Sequence, residues 1–385
     1  MLFPRLPRAF ARKFHKTENK RERTIQGQFL IPVPSGSVLS DSYPTRVSHG
    51  QLMLSHNGTK VLAPVNGVAT LTPDQKFFQI KQDGSWSTNA EYKFQTYDLG
   101  SMLQAFDDGA LASLDLVNTP LKDYFSKFNS NSTFTLILSP FSRYQHLDFE
   151  EMTLTSMKEA FRSFVDLLKT VFPKAEVKNF FEIQNLQFEH PMGIPEYFLH
   201  KQFQWDVLKS KKMLNSNEVL YLGAETIYHL LRKLYFGEPF TKRHLAVFLV
   251  DRKGRMDLEP RQYFLTNGQS LAFIPANMDK RYKIASFDTV FEAIQPMDVQ
   301  SLGYFNIYEH YSITLYEKLP ISRKEFSCID CMECNQYCPT QTNPIQLIKG
   351  KKEEFEKDKC VSCGICSVYC PAGIDIRKRI EEVLV

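Results

Sequence analysis

The reading of this chain turns on residues 328–371. They hold "CIDCMECNQYCP" at 328–339 and "CVSCGICSVYCP" at 360–371, and with them every cysteine of the protein: Cys328, Cys331, Cys334, Cys338, Cys360, Cys363, Cys366 and Cys370. Each run has the form C-x-x-C-x-x-C-x-x-x-C-P, the pattern of a bacterial-type iron–sulfur protein. Three cysteines three residues apart wrap a short loop around one cubane, each thiolate reaching a different iron. The fourth is carried off on the following segment, and the proline behind it keeps the backbone from folding back over the site. The spacing therefore predicts two [4Fe–4S] clusters with crossed ligands. Cys328, Cys331, Cys334 and Cys370 serve the first, and Cys360, Cys363, Cys366 and Cys338 the second.

Two other uses of cysteine fit less well. A zinc site needs four thiolates, usually as two C-x-x-C pairs, rather than a doubled quartet with prolines. A disulfide framework calls for a secreted chain, with cysteines spread through it.

The rest of the composition is that of an ordinary globular protein. The chain has 385 residues, 43% hydrophobic and 23% charged, with a net charge of +4. That length allows several domains. The charge is too small to imply a nucleic-acid partner, and the basic segment lacks the aromatic interleaving of a nucleic-acid platform. Apolar runs such as residues 245–250 fall short of the ~18 residues of a membrane span. No signal-peptide core stands at the beginning. The expected compartment is cytoplasmic and reducing, with peripheral association at the cytoplasmic face of the inner membrane.

Five segments follow from patterning. Residues 1–25 form a basic arm with eight Lys or Arg against Glu18 and Glu22; Leu2, Leu6, Phe10 and Phe14 recur at helical spacing. The arm reads equally as a contact with an anionic surface or as a solvated tail. Residues 26–98 read as short strands, with Asn57-Gly58 as a hairpin turn. Residues 99–235 read as an α/β domain. A strand at 133–138 is followed by Leu154, Met157, Phe161, Phe164, Leu168 and Val171 at helical spacing, then by a second strand at 176–181. A final helix is expected over 218–236, ending at Gly237. Between Gly109 and Gly193 there is no glycine. The turn at 139–143 is bulky and offers no phosphate nest, so the domain lacks a glycine-rich nucleotide loop. Glu150-Glu151 reads as an acidic pair for a ribose or a metal or, more simply, as residues suited to a helix N-terminus. His190 and His200 are candidates for a quinone contact or a proton relay, against the commoner role of structural hydrogen-bonder. Residues 236–322 read as a small β-rich module with its connection. Residues 323–385 are the cysteine domain, with helices expected over 344–356 and 374–384.

Several stretches carry a resemblance to a known superfamily. The tail, "CIDCMECNQYCP" and "KCVSCGICSVYCPAGIDIRKRI", resembles that of the C subunit of Rnf electron-transport complexes. The body resembles the A subunit of the sodium-translocating NADH:quinone reductase. The matching stretches are "FEHPMGIPEYFLH" (188–200), "GEPFTKRHLAVF" (237–248) and "SLGYFNIYEHYSITLYEK" (301–318). Residues 26–98, with G-Q-x-L and A-P-x-x-G-V, resemble a lipoyl-type barrel-sandwich hybrid; Lys60 lies outside the tip at which carriers present a modified lysine.

The resemblance implies a multidomain α/β plus α+β fold. Its parts are a barrel-sandwich hybrid, a degenerate Rossmann-like domain, a small β-grasp-like domain and a mainly helical two-cluster ferredoxin domain. It also implies an electron-transfer subunit of a membrane-associated oxidoreductase, with membrane and soluble subunits and a redox-protein donor or acceptor as partners. The glycine-rich loop and acidic turn by which relatives bind FMN and NADH are missing, so neither FMN nor NADH is expected here. The competing readings are a flavin- and NADH-binding dehydrogenase subunit, and a non-catalytic iron–sulfur scaffold. Lys359 and Lys357 are read as cations that raise the potential of the nearer cluster or dock an acidic donor.

Overall fold

The structure is a computed structural model that describes residues 27–84, 92–116, 119–143, 149–183, 190–256, 260–288, 295–318 and 327–384, together with the backbone of residues 20–22. It is a mixed α/β architecture with several sheets and a cysteine-rich, helical C-terminal region. Among the described residues no sheet closes into a barrel.

Residues 27–82 form two small antiparallel sheets. One runs in the order Gln28–Pro32, Phe77–Gln82, Gly67–Leu71, Thr45–Val47; the other in the order Val38–Leu39, Leu52–His56, Thr59–Leu62. Alternation puts Phe29, Ile31, Phe78 and Ile80 into a common core with Met53, Leu54 and Ala69. The Asn57-Gly58 turn forms as expected: both residues have positive φ (48° and 79°), the geometry of a type I′ hairpin. Lys60 pairs with Asp107 at 2.8 Å, which ties this unit to the helix Leu99–Asp108.

The α/β region has three parallel strands in the order Glu176–Asn179, Thr135–Leu138, Val219–Leu222. The expected crossover helix is Lys158–Val171, burying Phe161, Phe164, Leu168 and Val171. Leu154 precedes it in a π-type turn, Met152–Ser156, and Glu150-Glu151 lies in the turn Phe149–Glu151.

The helix expected over 218–236 is corrected. Residues Val219–Leu222 are a strand, and the helix is Ala224–Phe236. The physical reason is burial on both faces. All four residues of Val-Leu-Tyr-Leu are fully buried, so the run carries no helical stripe, and Gly223 separates it from the helix. Gly237 caps the helix as expected, at φ 69°, with Gly237 N–H donating to Lys233 and Glu238 N–H to Arg232.

A six-stranded mixed sheet follows, in the order Lys20–Glu22, Arg261–Thr266, Lys242–Val250, Ser312–Tyr316, Ile284–Phe287, Met297–Asp298. Lys242–Val250 and Ser312–Tyr316 run parallel at its centre. Most of the N-terminal arm lies outside the described residues. Residues Lys20–Glu22 nevertheless pair with Gln262, Tyr263 and Phe264, so the end of the segment read as an arm is an edge strand.

One hydrophobic core runs through the α/β region and the six-stranded sheet, from Met102 and Phe164 to Leu245 and Leu315. Inside it, fully buried Arg243 donates to Glu225 at 2.7 and 2.9 Å and to the Ile307 carbonyl at 2.9 Å, and lies 3.9 Å from the Tyr311 ring. This bidentate pair joins the helix Ala224–Phe236 to the central strand. Removing one partner of such a pair costs about 3–5 kcal/mol.

Three histidines are held neutral: His229, buried beside this core, and the half-buried His49 and His310. Burial lowers His49 and His310 to about 4 and His229 well below its ordinary value; Lys242 and Lys233 depress His49 further, and Arg232, Arg243 and His244 depress His229. A depressed folded-state value means that the unfolded chain binds more protons between the two values. The stabilising contribution is therefore complete above pH ~6.5 and declines as pH falls toward 4. Thermal denaturation across that window should show a falling Tm, and His310→Phe, which removes one proton-binding group, should flatten the slope.

Candidate cysteine site

The two cysteine runs form one local structure twice, at an offset of 32 residues (Cys360 against Cys328). In the first, Asp330 and Met332 take the left-handed conformation at φ 53° and 60°; in the second, Ser362 and Gly364 do so at 51° and 75°. These are equivalent positions, flanking the middle cysteine of each triplet. A short helix follows each time, Glu333–Gln336 and Ile365–Tyr369. Past each Cys-Pro the chain turns through a further left-handed residue, Gln341 (54°) and Gly373 (69°). Tyr337 and Tyr369, each one residue before a fourth cysteine, stack on each other with ring centres 4.0 Å apart.

The expected helices of this region form in shortened versions. Ile345–Ile348 stops before Gly350 at φ 77°, a 3-10 turn Lys352–Glu354 follows, and Ile376–Leu384 ends the described chain.

Alternation of right- and left-handed residues turns successive backbone N–H groups toward one side, where negative charge is favoured. Here they reach sulfur. Thr342 N–H lies 3.3 Å from Cys338 Sγ and Ser362 N–H 3.4 Å from Cys360 Sγ; the Thr342 hydroxyl is also 3.3 Å from Cys338 Sγ. Backbone N–H groups of Ile374 and Ala372 serve Cys370, and that of Ile365 serves Cys363.

By mutual electrostatic influence the thiols fall into two groups. Burial raises Cys334 to about 11, and Cys370, Cys331 and Cys328 add to the effect. Burial likewise raises Cys370, again with Cys331 and Cys328 adding. Cys363 is pushed up to about 12 by burial and by Cys338 and Cys360. Cys366 lies well above its ordinary value, through burial and then Cys363, Cys360 and Cys338. Each group thus draws one member from the other run.

These residues fit an iron–sulfur group. The donors are soft sulfurs, the loops aim N–H groups at them, and the burial that opposes a bare thiolate is offset once the sulfur bonds to metal. Among the described residues no three His, Cys, Asp or Glu side chains converge as ligands of a single ion do. A polynuclear group binds its ligands at different irons and needs no such convergence.

The second run is fastened to the α/β region. Val361, Cys363 and Ile365 share a core with Ile137, Phe141, Phe198 and Tyr221. His190 Nε2 lies 2.6 Å from the Cys363 carbonyl. A carbonyl can only accept, so His190 is the donor. Lys211 donates to the carbonyls of Asp358 at 2.6 Å and Cys360 at 2.9 Å. His190 therefore takes the structural role, as an anchor of a cysteine loop. His200 bonds the Trp205 carbonyl at 2.5 Å, a local contact. Lys211 was missed from the sequence: it is one of several lysines on an amphipathic helix, Val207–Asn215, with no local signal to single it out. Lys359, the lysine adjacent to Cys360, is paired with Glu356 instead.

The carboxyl end of the parallel strands is the usual ligand position in such a fold. The position that a phosphate takes at such a helix N-terminus holds a carboxylate. Asp115, 1% exposed, accepts from Gly223 N–H at 2.8 Å and Thr226 Oγ1 at 2.6 Å at the start of the helix Ala224–Phe236. A Cβ on Gly223 would stand 2.1 Å from Asp115 Oδ1, so the approach requires glycine. Burial raises Asp115 to about 6, against those two hydrogen bonds. Beside it, residues 139–142 are buried, and Gly193 packs so closely on Ser142 that a Cβ would lie 1.7 Å from the carbonyl oxygen.

No family model matches the chain, and no curated protein matches it. Among solved structures, a chain of an NAD+-reducing [NiFe]-hydrogenase in the air-oxidised state is similar over 74% of this chain and 61% of that one, at 9% identity and a TM-score of 0.42. The present chain thus spans about three fifths of that neighbour's length. A likeness of this degree assigns neither family nor activity.

Replacing His190 by Ala leaves a buried carbonyl without its donor and should cost about 1–3 kcal/mol. Chemical denaturation of the metal-loaded protein checks this; an unchanged midpoint would show that the bond contributes nothing to anchoring the loop.

Proposed function

We propose that this protein is an electron-transfer subunit of a larger oxidoreductase, and that it carries two [4Fe–4S] clusters with crossed ligands. Cys328, Cys331, Cys334 and Cys370 hold one; Cys360, Cys363, Cys366 and Cys338 hold the other. The observation that carries the reading is the 32-residue repeat of cysteines and left-handed turns, with backbone N–H groups directed at sulfur. Each cluster, when bound, takes up and gives back one electron. The chain's part is to fix the loops, supply hydrogen bonds to sulfur and set the local charge, the factors that tune potential. No acid or base is required.

The finer reading is a relative of the Rnf C and sodium-pumping reductase A subunits. On it, residues 26–98 are a barrel-sandwich hybrid, residues 99–235 a degenerate Rossmann-like domain and residues 236–322 a β-grasp-like module. The protein associates peripherally with the inner membrane through partner subunits. The parallel centre of the six-stranded sheet and the paired small sheets support these assignments. Occupation of the helix N-terminus by Asp115 supports a body without FMN or NADH, whose electrons arrive from another protein.

Anaerobic purification followed by EPR and flavin analysis tests the proposal. The expected result is two interacting [4Fe–4S] signals without flavin. Bound FMN with NADH-dependent cluster reduction would favour the dehydrogenase reading, and clusters that resist reduction at accessible potentials would favour the scaffold. A redox titration separates the lysines. Lys211→Met should lower the midpoint of the cluster held by Cys360, because a cation bonded at that residue's own carbonyl is removed. Lys359→Glu should lower it less, because Glu356 already neutralises Lys359. Equal shifts would remove the special role of Lys211.

A further inference from the structure

The two cysteine loops are equivalent in backbone and opposite in environment. In the second, Val361 is 7% exposed and Cys363 9%, both packed on the α/β region. Their equivalents in the first run are Ile329, 64% exposed, and Cys331, also exposed. Met332 and Tyr337 of the same run are 45% and 40% exposed, and their equivalents in the second run are buried Gly364 and half-buried Tyr369. The face that protein covers in one copy of the loop is open and apolar in the other.

We infer that Ile329, Met332 and Tyr337 around Cys331 form the docking surface for a redox partner: a protein that carries a one-electron centre close to its own surface. Three features of the structure support that occupant. A cysteine of the first group reaches solvent within the patch, so a partner seated there comes close to the group those thiols hold. The twin face shows that this loop accepts a packed protein surface without change of backbone. Among the described residues, the charges next to the patch are largely matched within the chain, Lys349 with Asp330 at 2.8 Å and Lys351 with Glu354 at 2.8 Å. That leaves apolar contact as the main attraction and predicts weak dependence on salt. One electron crosses, the partner's centre losing what the group at Cys331 gains, and no proton moves.

This inference rests on the two-cluster reading. The test uses the full-length, cluster-loaded protein and a soluble two-cluster ferredoxin as probe. Its affinity is measured by calorimetry, and the rate at which the reduced probe transfers electrons by stopped flow. The double variant Ile329→Gln with Met332→Asn adds no charge, and asparagine tolerates the left-handed conformation at 332. It should weaken binding and slow transfer about tenfold, the scale of an apolar anchor lost from an interface. Reduction by methyl viologen and the EPR of both clusters should stay as in the parent. Val38→Gln, at a residue 71% exposed elsewhere, should leave all readouts unchanged. Unchanged affinity and rate in the double variant overturn the inference while the EPR signals keep the two-cluster reading intact. So does an equal loss in Val38→Gln, or a parent dimer that the double variant converts to monomer. Absence of both EPR signals in the parent overturns the reading and the inference together.

Discussion

Three backbone carbonyls on the second cysteine loop decide how this protein is put together. Those of Asp358 and Cys360 accept from Lys211, and that of Cys363 accepts from His190. A loop bent through two left-handed residues has turned its N–H groups toward sulfur, which leaves carbonyls on its outer side in need of donors. The α/β region supplies them, together with an apolar seat for Val361 and Ile365. The cysteine region is therefore a built-in part of the body, oriented by specific bonds.

The body that provides this seat is stiffened from within. Arg243 and Glu225 lock the helix Ala224–Phe236 to the six-stranded sheet. The start of the same helix is closed by Asp115. A parallel sheet with a helix beginning at a strand's carboxyl end is the framework on which nucleotide sites are commonly built. Here its anion position holds a side chain, and the neighbouring turn is packed shut by Gly193 against Ser142. The same framework seats the second cysteine loop, an outcome that follows from side chains and could not be read from topology alone.

Much of the site was legible in the sequence because its constraints are local. Cysteine spacing follows from the size of the group to be wrapped, and Asn57-Gly58 and Gly237 mark places where a left-handed backbone is needed. The misread segment shows the opposite case. Val219–Leu222 is apolar at every position, and such a run fits a buried strand or a buried helix equally well. Only the neighbour Thr135–Leu138, supplying a parallel ladder, settled it. Lys20–Glu22 is similar: a basic segment gives no hint that Gln262–Phe264 will offer it an edge.

By itself, then, the sequence determined that eight cysteines form two equivalent quartets and that no glycine-rich phosphate loop accompanies them, since both are matters of residue type and spacing along the chain. Tertiary structure alone decided that the two quartets are unlike in surroundings. The loops share one backbone, but long-range packing brings Phe141, Phe198, His190 and Lys211 to the second and leaves Ile329 and Met332 of the first in solvent. That difference arises because the sheet and helices presenting a covering surface lie more than a hundred residues upstream of the loop they cover, a distance across which no local pattern extends.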